Sequence, residues 1–394
     1  MDPRTNPYSP GAGVRPVELA GRAEERQAFD VLMARAEAGR PAQSLVFFGV
    51  RGVGKTVLIN ELRATARDRG WITAKVEADQ GTDRTPFRSQ VSSALTTSLR
   101  HVQGRGRVGD RVKTALRTFK SFSLVASPDG SLSVGIDVEA ARGRADTGSI
   151  AVDLAELAVD LADAARDLGS GAVLFIDELQ HLDTDELAAV CHACHEAGQR
   201  DAPFFVVGAG LPNLPALLAG AKSYAERLFQ FSRIDRLPLD DAWAALIRPA
   251  TAAGVQWARE AAHVVLEASA GYPYFLQQYG QTSWDAAAAS PITVDDAREG
   301  IRLGRERLDS GFFRARWERA TPAERDYLAA MAVDGDGPSS TGELAERLDK
   351  KASSLGPARA NLMAKGLVYA PQHGLIAFTG PGRADFVQRE SALR

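Results

Sequence analysis

Residues 44–58 constrain the fold of this chain more than any other segment. Residues 45–48 are a short apolar run, Leu-Val-Phe-Phe, with the length and aromatic content of a buried strand. A glycine-rich loop follows and ends in Lys55-Thr56, where a helical apolar pattern begins. The spacing G-x-x-x-x-G-K-[ST] between a strand and a helix is typical of a loop whose backbone N–H groups surround phosphate. The segment therefore predicts an α/β fold with a nucleotide site after its first strand.

The same spacing assigns roles within the loop. Lys55 is expected to reach the β- and γ-phosphates, and Thr56 to bind Mg²⁺. The start of the following helix adds a favourable partial positive charge. The residues expected to contact the nucleotide here are Gly49, Val50, Arg51, Gly52, Val53, Gly54, Lys55, Thr56 and Val57.

A second apolar run, residues 172–176, ends in Asp177-Glu178. Its lack of alternation predicts a strand buried on both faces of a parallel sheet. Carboxylates at the end of such a strand are costly unless they have a chemical role, and ligands of open α/β sheets bind at this edge. Together with the phosphate loop, the run is interpreted as a Walker B strand. Asp177 is then the Mg²⁺ residue, and Glu178 orients or deprotonates the attacking water.

Composition limits the class of protein. The chain has 394 residues, 45% hydrophobic and 25% charged, with a formal net charge of −3, so it has room for two or three domains. The net charge indicates neither nucleic acid nor a membrane as a general partner, and no apolar run has transmembrane length. A cytoplasmic protein without a disulfide framework is expected. Cys191, Cys194 and His195 share a helix face and are zinc-binding residue types, but buried cysteines are the preferred interpretation.

The pattern divides the chain into four parts. Residues 1–16 are predicted to be an extended arm, 17–239 an ATPase core, 240–320 a helical region and 321–394 a final module. Residues 104–148 are predicted to be an insertion. Seven basic residues and one acid lie between positions 100 and 120, and residues 122–138 are predicted to form a β-hairpin. This basic segment is interpreted either as a solvated helix face or as a contact for nucleic acid or an acidic partner.

The order of these motifs resembles the AAA+ and STAND-type P-loop ATPases over residues 19–289. It is similar above all to bacterial and archaeal ATPases related to origin-recognition proteins. The resemblance implies a parallel sheet flanked by helices, an all-helical lid, a C-terminal winged helix, and ATP with Mg²⁺ as ligands. It also implies that Gly21 and Arg22 lie against the adenine, and that Pro273 packs on the nucleotide.

Two positions depart from the family pattern. Gly208-Ala-Gly stands where a polar sensor residue is common, and residues 271–274 offer no arginine sensor. The resemblance then implies slow hydrolysis and a nucleotide switch more than a motor. Arg227 is the arginine expected to complete a site, in trans or in cis.

The final module resembles a winged helix, with residues 354–365 in the recognition position. Its nine basic and nine acidic residues balance, whereas DNA readers usually carry a basic stripe. DNA and a protein therefore both stay open as partners. The candidate DNA contacts are Lys350, Lys351, Ser353, Ser354, Arg359 and Lys365.

Three functions are compatible with this pattern. The first is a Mg²⁺-dependent ATPase that acts as a switch coupled to the winged helix and to self-association into a homo-oligomer. The second is a DNA-binding regulator or replication-initiator-like protein whose nucleotide is mainly structural. The third is a scaffold that recruits a protein partner.

Overall fold

A computed structural model describes residues 1–79, 85–103, 109–127, 136 and 138–392. In these ranges, five parallel strands form the central sheet in the order β2-β3-β4-β1-β5. The strands are β1 (Ser44–Phe48), β2 (Ile72–Glu77), β3 (Ala172–Asp177), β4 (Phe204–Gly210) and β5 (Phe229–Arg233). The phosphate loop follows β1 and the Asp177-Glu178 pair ends β3, so parallel pairing brings both to one edge of the sheet.

Helices cover both faces of this sheet. Successive strand residues point to opposite faces of the sheet, and both faces are apolar. Val46 and Leu174 belong to one apolar cluster, whereas Phe47 and Phe175 belong to another, so each face needs its own layer of helices. The helices of this part are α1 (Ala23–Glu37), α2 (Lys55–Asp68), α3 (Phe87–Gln103), α4 (Asp110–Ala126), α5 (Ile150–Asp167), α6 (Thr184–Gln199), α7 (Leu214–Ala221) and α8 (Ala225–Leu228).

The hairpin predicted for residues 122–138 is wrong at its beginning. Phe122 lies inside α4, because the buried residues Val112, Leu116, Phe119 and Phe122 continue one helical stripe. The predicted turn at residues 128–130 and the positions up to 135 lie outside the described residues, as do Arg105 and Arg107.

The basic segment is partly tied to the protein. Arg111 pairs with Asp167 at 2.6 Å, and Lys120 Nζ donates to the Val138 carbonyl. Arg117 is exposed. Helix α3 is fixed to α5 by a buried ion pair between Arg88 and Asp153 at 2.6 Å.

A helical region follows the sheet, with α9 (Leu239–Ala252), α10 (Arg259–Ser269), α11 (Pro273–Ala286) and α12 (Val294–Arg307). A π-helical turn, Leu308–Phe313, leads into α13 (Arg314–Glu318). The winged helix then contains α14 (Pro322–Ala332), α15 (Thr341–Arg347), α16 (Gly356–Ala364) and α17 (Arg383–Ala392). Its antiparallel sheet has the order β6-β8-β7, from β6 (Ser339–Ser340), β7 (Val368–Tyr369) and β8 (Leu375–Phe378).

The helical region and the winged helix share one apolar core. Leu246, Phe275 and Trp284 from the helical region belong to the same cluster as Tyr327 and Phe386 from the winged helix. The observed architecture confirms the predicted fold class: a parallel sheet flanked by helices, then a helical lid and a winged helix. No helix among the described residues combines the length and the apolarity needed to cross a membrane.

Candidate nucleotide-binding site

The loop between β1 and α2 is shaped by glycines that other residues could not replace. A Cβ atom at Gly49 would lie 2.0 Å from the carbonyl oxygen of Ile234. Gly54 immediately precedes α2 with φ of 91°, a conformation that L side chains rarely adopt. The loop can therefore curl tightly over the N-terminus of α2, where backbone N–H groups remain available to an anion.

Lys55 is the first residue of α2, and its side chain reaches back into the loop. Its Nζ donates to the carbonyl oxygens of Gly49 and Val50, each at 2.8 Å. Burial lowers the pKa of Lys55 to about 8, although the charges of Glu178 and Asp177 act in the opposite direction. The group is thus a desolvated cation, still mostly protonated at neutral pH, against which phosphate oxygens would bind strongly.

The two carboxylates stand at the end of β3. Asp177 is buried and accepts a hydrogen bond from the Glu178 backbone N at 3.0 Å. Glu178 has φ of 51°, an uncommon conformation for a residue with a side chain. Backbone strain of this kind clusters at functional sites, because the surrounding structure must hold it in place.

Glu178 is held ionised by its neighbours. Burial acts to raise its pKa, but the charges of Arg51 and Lys55, together with a hydrogen bond from Gln180 Nε2, lower it below its usual range. Burial also lowers the pKa of His181, whose Nε2 lies 3.8 Å from Glu178 Oε2. A carboxylate that stays charged suits the role of orienting a water molecule.

Lys55, Glu178 and His181 border a cavity of about 610 Å³. Its lining includes the loop residues from Arg51 to Val57, Glu178 and His181 from the sheet edge, and Pro273 and Tyr274 from the start of α11. Residues 9–14 of the arm and Arg316 of α13 close other sides. The arm, the core and the helical region therefore each contribute a wall of the cavity.

Arg22 and Gly21 take different positions at this cavity. Arg22 lines it, and its guanidinium donates to the carbonyl oxygens of Gly21, Val53 and Asp235. Gly21 packs behind it, where a Cβ would lie 2.8 Å from Leu237 Cδ2. Gly49, Val50 and Asp177 are not among the residues that line the cavity. By donating to these three carbonyl groups, Arg22 links the segment before α1, the phosphate loop and the segment after β5 in the cavity wall.

Arg227 lies away from this cavity. It is exposed just before β5, and it borders a groove at the amino ends of the strands with Ser44 and Pro203. The phosphate loop lies at the carboxyl ends. The alternative in which Arg227 completes the site in cis is therefore contradicted by its position, and only the alternative in trans stays a prediction.

Two of the candidate DNA contacts are used inside the protein. Arg359 donates to Thr341 Oγ1 at 3.0 Å and to the Leu375 carbonyl at 2.9 Å. Lys365 Nζ lies 2.6 Å from Glu324 Oε2, the carboxylate that caps α14. The charge of Lys365 is therefore already partnered, and the Arg359 guanidinium already donates to two neutral oxygens, so both residues have structural roles in the module. Their contacts with DNA stay predictions. Lys350, Lys351, Ser353 and Ser354 are exposed ahead of α16.

Sequence reasoning missed several residues at the site. Gln180 donates to Glu178 and accepts from the Leu211 backbone N at 3.0 Å, so it joins the ends of β3 and β4. The side chain stands next to Gly210, where a Cβ would lie 2.4 Å from Gln180 Oε1. Its position two residues after Glu178 was the available signal. For Arg316 and Tyr274, no local pattern pointed to the cavity.

The residues present fit a nucleoside triphosphate with Mg²⁺. The glycine loop leaves room for phosphate, Lys55 supplies a buried cation, and buried Arg51 Nε has no hydrogen-bond partner in the described part of the chain. Thr56 and Asp177 offer the hard oxygen atoms that Mg²⁺ prefers.

Comparison with known proteins agrees with this geometry. Residues 18–207 match the family model described as AAA ATPase domain, and residues 310–387 match a domain of unknown function. No curated protein matches the chain. Among solved structures, the chain is similar to the Walker-type ATPase PABY2304 of Pyrococcus abyssi, with a TM-score of 0.62 and 12% identity over 95% of this chain and 97% of that one. At this identity the likeness concerns the fold.

Two more distant structures also align. One is the RuvB Holliday junction branch migration motor of Thermotoga maritima, with a TM-score of 0.45 and 17% identity over 93% of this chain and 96% of that one. The other is the Orc1 protein of Aeropyrum pernix in complex with DNA, with a TM-score of 0.46 and 14% identity over 96% of this chain and 94% of that one. Neither is similar enough to support an argument. The AAA+ part of the resemblance is confirmed by the family match and the fold: residues 18–207 of this chain match the AAA ATPase domain. The STAND type and the particular likeness to origin-recognition-related ATPases stay predictions.

Proposed function

We propose that this protein binds and hydrolyses ATP with Mg²⁺, and that its nucleotide state acts as a switch on the winged helix. One contact carries the proposal. The backbone N of Arg51, inside the phosphate loop, donates to the carbonyl of Thr379 in the winged helix at 2.6 Å. A loop that changes its contacts with the nucleotide would thus act directly on the C-terminal module.

The chemistry would be divided among four residues. Lys55 would bind the β- and γ-phosphates, and Thr56 and Asp177 would hold Mg²⁺, which supplies positive charge to those phosphates when bound. Glu178 would orient the attacking water and accept its proton. We expect slow turnover, because Gly208 and Gly210 offer no polar side chain at the end of β4.

The partner of the switch is a further part of the proposal. Exposed Lys350 and Lys351 suit duplex DNA, as phosphate contacts release counterions, but the same surface suits a protein. A DNA-binding regulator with a structural nucleotide, and a scaffold for a protein partner, are the alternatives. Assembly into a homo-oligomer and a cytoplasmic location also belong to the proposal.

Steady-state ATP hydrolysis with and without mixed-sequence duplex DNA tests it. Lys55→Ala should abolish ATP binding by calorimetry, and Glu178→Gln should bind ATP but lose turnover by about 100-fold or more. Lys222→Ala and Glu260→Gln, which change residues of the same types away from the cavity lining, are the controls for these two functions.

The outcomes separate the candidate functions. Stimulation by DNA would support the DNA-linked switch, and a rate that DNA leaves unchanged would favour a protein partner. Tight ATP binding without turnover would indicate a switch that awaits an activator. Undiminished ATP affinity in Lys55→Ala would reject the site.

A further inference from the structure

Three arginines from three parts of the chain come close together where the winged helix contacts the phosphate loop. Arg51 belongs to the phosphate loop, Arg316 to α13 at the end of the helical region, and Arg383 to the start of α17 in the winged helix. They are close enough for their charges to act on one another and, for Arg51 and Arg316, on Glu178. We call these three residues the arginine cluster.

The winged helix brings its arginine to this place by direct contact with the phosphate loop. Besides the hydrogen bond from Arg51 N to the Thr379 carbonyl, the next residue, Gly380, packs closely. A Cβ there would lie 3.7 Å from Arg51 Cβ and 3.9 Å from the Phe312 ring. The segment between β8 and α17 therefore rests on the loop, and Arg383 follows three residues later.

No carboxylate among the described residues forms an ion pair with the cluster, although Glu178 and Asp336 lie close enough to act on its charges. Arg383 is only 3% exposed, and its Nε and Nη2 find no hydrogen-bond partner in the described ranges. The nearby carboxylate of Asp336 is instead occupied by the backbone N atoms of Gly382 and Ala384.

Arg316 faces the cavity, whereas Arg383 lies behind its wall. Arg316 lines the cavity with Arg51 and Lys55, donates to the Phe312 carbonyl at 2.9 Å and lies over the Phe312 ring. Arg383 lies over the Phe313 ring with its guanidinium carbon 5.8 Å from the ring centroid. Arg51 and Arg316 are thus the pair placed to touch a ligand.

The burial and mutual repulsion of these arginines are unfavourable, which indicates that the cluster binds a negatively charged ligand. Burial first, and then the charges of Arg316 and Arg51, lower the pKa of Arg383 to about 9. The pKa of Arg316 is also lowered, by burial first and then by Arg51. Buried cations that repel one another destabilise the contact that brings them together, unless a negative ligand compensates.

We propose that the arginine cluster is a site for the γ-phosphate of ATP, which Arg51 and Arg316 contact and which relieves their repulsion with Arg383. The winged helix would then be held on the phosphate loop by ATP and released by ADP. Arg383 is a positioning residue in this scheme. The inference rests on the proposed function, because it requires a nucleotide in this cavity with its phosphates on Lys55.

The first test compares the affinities for MgADP and for a non-hydrolysable Mg–ATP analogue by calorimetry. Arg316→Gln should reduce the preference for the ATP analogue by about tenfold, the loss of one charge-assisted hydrogen bond, and leave the ADP affinity within about twofold. Arg389→Gln is the matched control. It removes an arginine from α17 that pairs with Asp309 at 2.8 Å, away from the cavity lining, and should keep the preference.

The second test separates positioning from simple packing at Arg383. Arg383→Met keeps an apolar stem and removes the charge, so the protein without nucleotide should melt at a higher temperature than the wild type. Adding beryllium fluoride, a γ-phosphate mimic, to the ADP complex should raise the melting temperature of the wild type but not of the variant. A lower melting temperature of Arg383→Met in every nucleotide state would mean a structural arginine and overturn the proposal.

The remaining outcomes are also decisive. An unchanged ATP preference in Arg316→Gln would overturn the assignment of the γ-phosphate. Inorganic phosphate alone, raising the melting temperature as much as ADP with beryllium fluoride, would make the cluster a free-phosphate site and reject the nucleotide link. A wild-type protein that binds neither nucleotide would instead refute the proposed function itself.

Discussion

At the scale of single residues, Lys55 should make nucleotide binding depend on pH. Burial lowers its pKa to about 8, and bound phosphates would raise it again, so binding takes up a proton above that pH. MgADP affinity should therefore fall as the pH rises above about 8, by up to about tenfold per pH unit. Below pH 7 Lys55 is already charged, so it makes no further contribution to the pH dependence of the MgADP affinity.

Calorimetric titrations with MgADP between pH 7 and 9.5 measure this dependence. Lys55→Arg is the control, because its side chain keeps its charge over the whole range and its affinity should stay flat. Equal pH dependence in the wild type and Lys55→Arg would assign the titration to another group.

Residue chemistry explains which site residues the sequence could predict. Lys55, Asp177 and Glu178 are recognisable because their roles follow from neighbours in the chain. Arg359 and Lys365 were predicted as DNA contacts from their position on the helix alone. That position gives no information about the Leu375 carbonyl and the Glu324 carboxylate, which accept their hydrogen bonds in the structure. Their bonds depend on tertiary packing, which no local pattern reports.

At the scale of elements, the N-terminal arm connects the helical region with the core across the cavity. Tyr8 is buried against α11, where a Cβ at Gly280 would lie 2.7 Å from its ring, and its hydroxyl donates to the Leu246 carbonyl. Five residues later, Gly13 reaches α2, where Asn60 Nδ2 donates to its carbonyl. The residues between them line the cavity, so we expect the arm to retain the nucleotide.

Tyr8→Ala should detach the arm from the helical region. We expect the free energy of unfolding to fall by about 3 kcal/mol, as for other buried aromatic residues, and a fluorescent ADP to dissociate several-fold faster in stopped flow. Tyr8→Phe keeps the ring and loses the bonds to Leu246 and Trp257, so it should cost about 1 kcal/mol and release ADP at nearly the wild-type rate. If Tyr8→Ala is destabilised but releases ADP at the wild-type rate, the arm stabilises the fold and does not retain the nucleotide.

Elements were predicted well where periodicity was unambiguous, as in the helices of the lid. The start of the supposed hairpin failed because residues 122–126 are short and apolar, a pattern that fits a strand or the end of a helix. The structure has a helix there, because the buried apolar stripe from Val112 to Phe119 continues through these residues. Helix α17 was not predicted, although its buried face, with Phe386 and Val387, completes the core shared with the lid.

At the scale of the whole molecule, the order of sheet, lid and winged helix followed from the order of motifs along the chain. The docking of the winged helix on the phosphate loop did not. Arg51 and Thr379 are 328 positions apart, and neither belongs to a pattern that identifies the other. Contacts of this range decide how the modules of the chain can act on one another, and they require the folded structure.

The position of Arg227 makes assembly of several copies a testable expectation. It is exposed at the amino edge of the sheet, opposite the phosphate loop, so it can complete a site only in another copy of the chain. Arg227→Ala should bind ATP but hydrolyse it at least about tenfold more slowly, whereas Lys55→Ala lacks binding but retains Arg227. An equimolar mixture of the two variants should hydrolyse ATP faster than the sum of their separate rates.

Arg40→Ala is the matched control for this experiment. Arg40 is an exposed arginine that borders the same groove as Arg227, so its loss should leave the rate unchanged if position and not total charge matters. Dependence of the specific activity on protein concentration should accompany the complementation, because the shared site forms only between copies. A mixture that gives only the sum of the separate rates, at protein concentrations where the wild type associates, would exclude Arg227 as a residue supplied in trans.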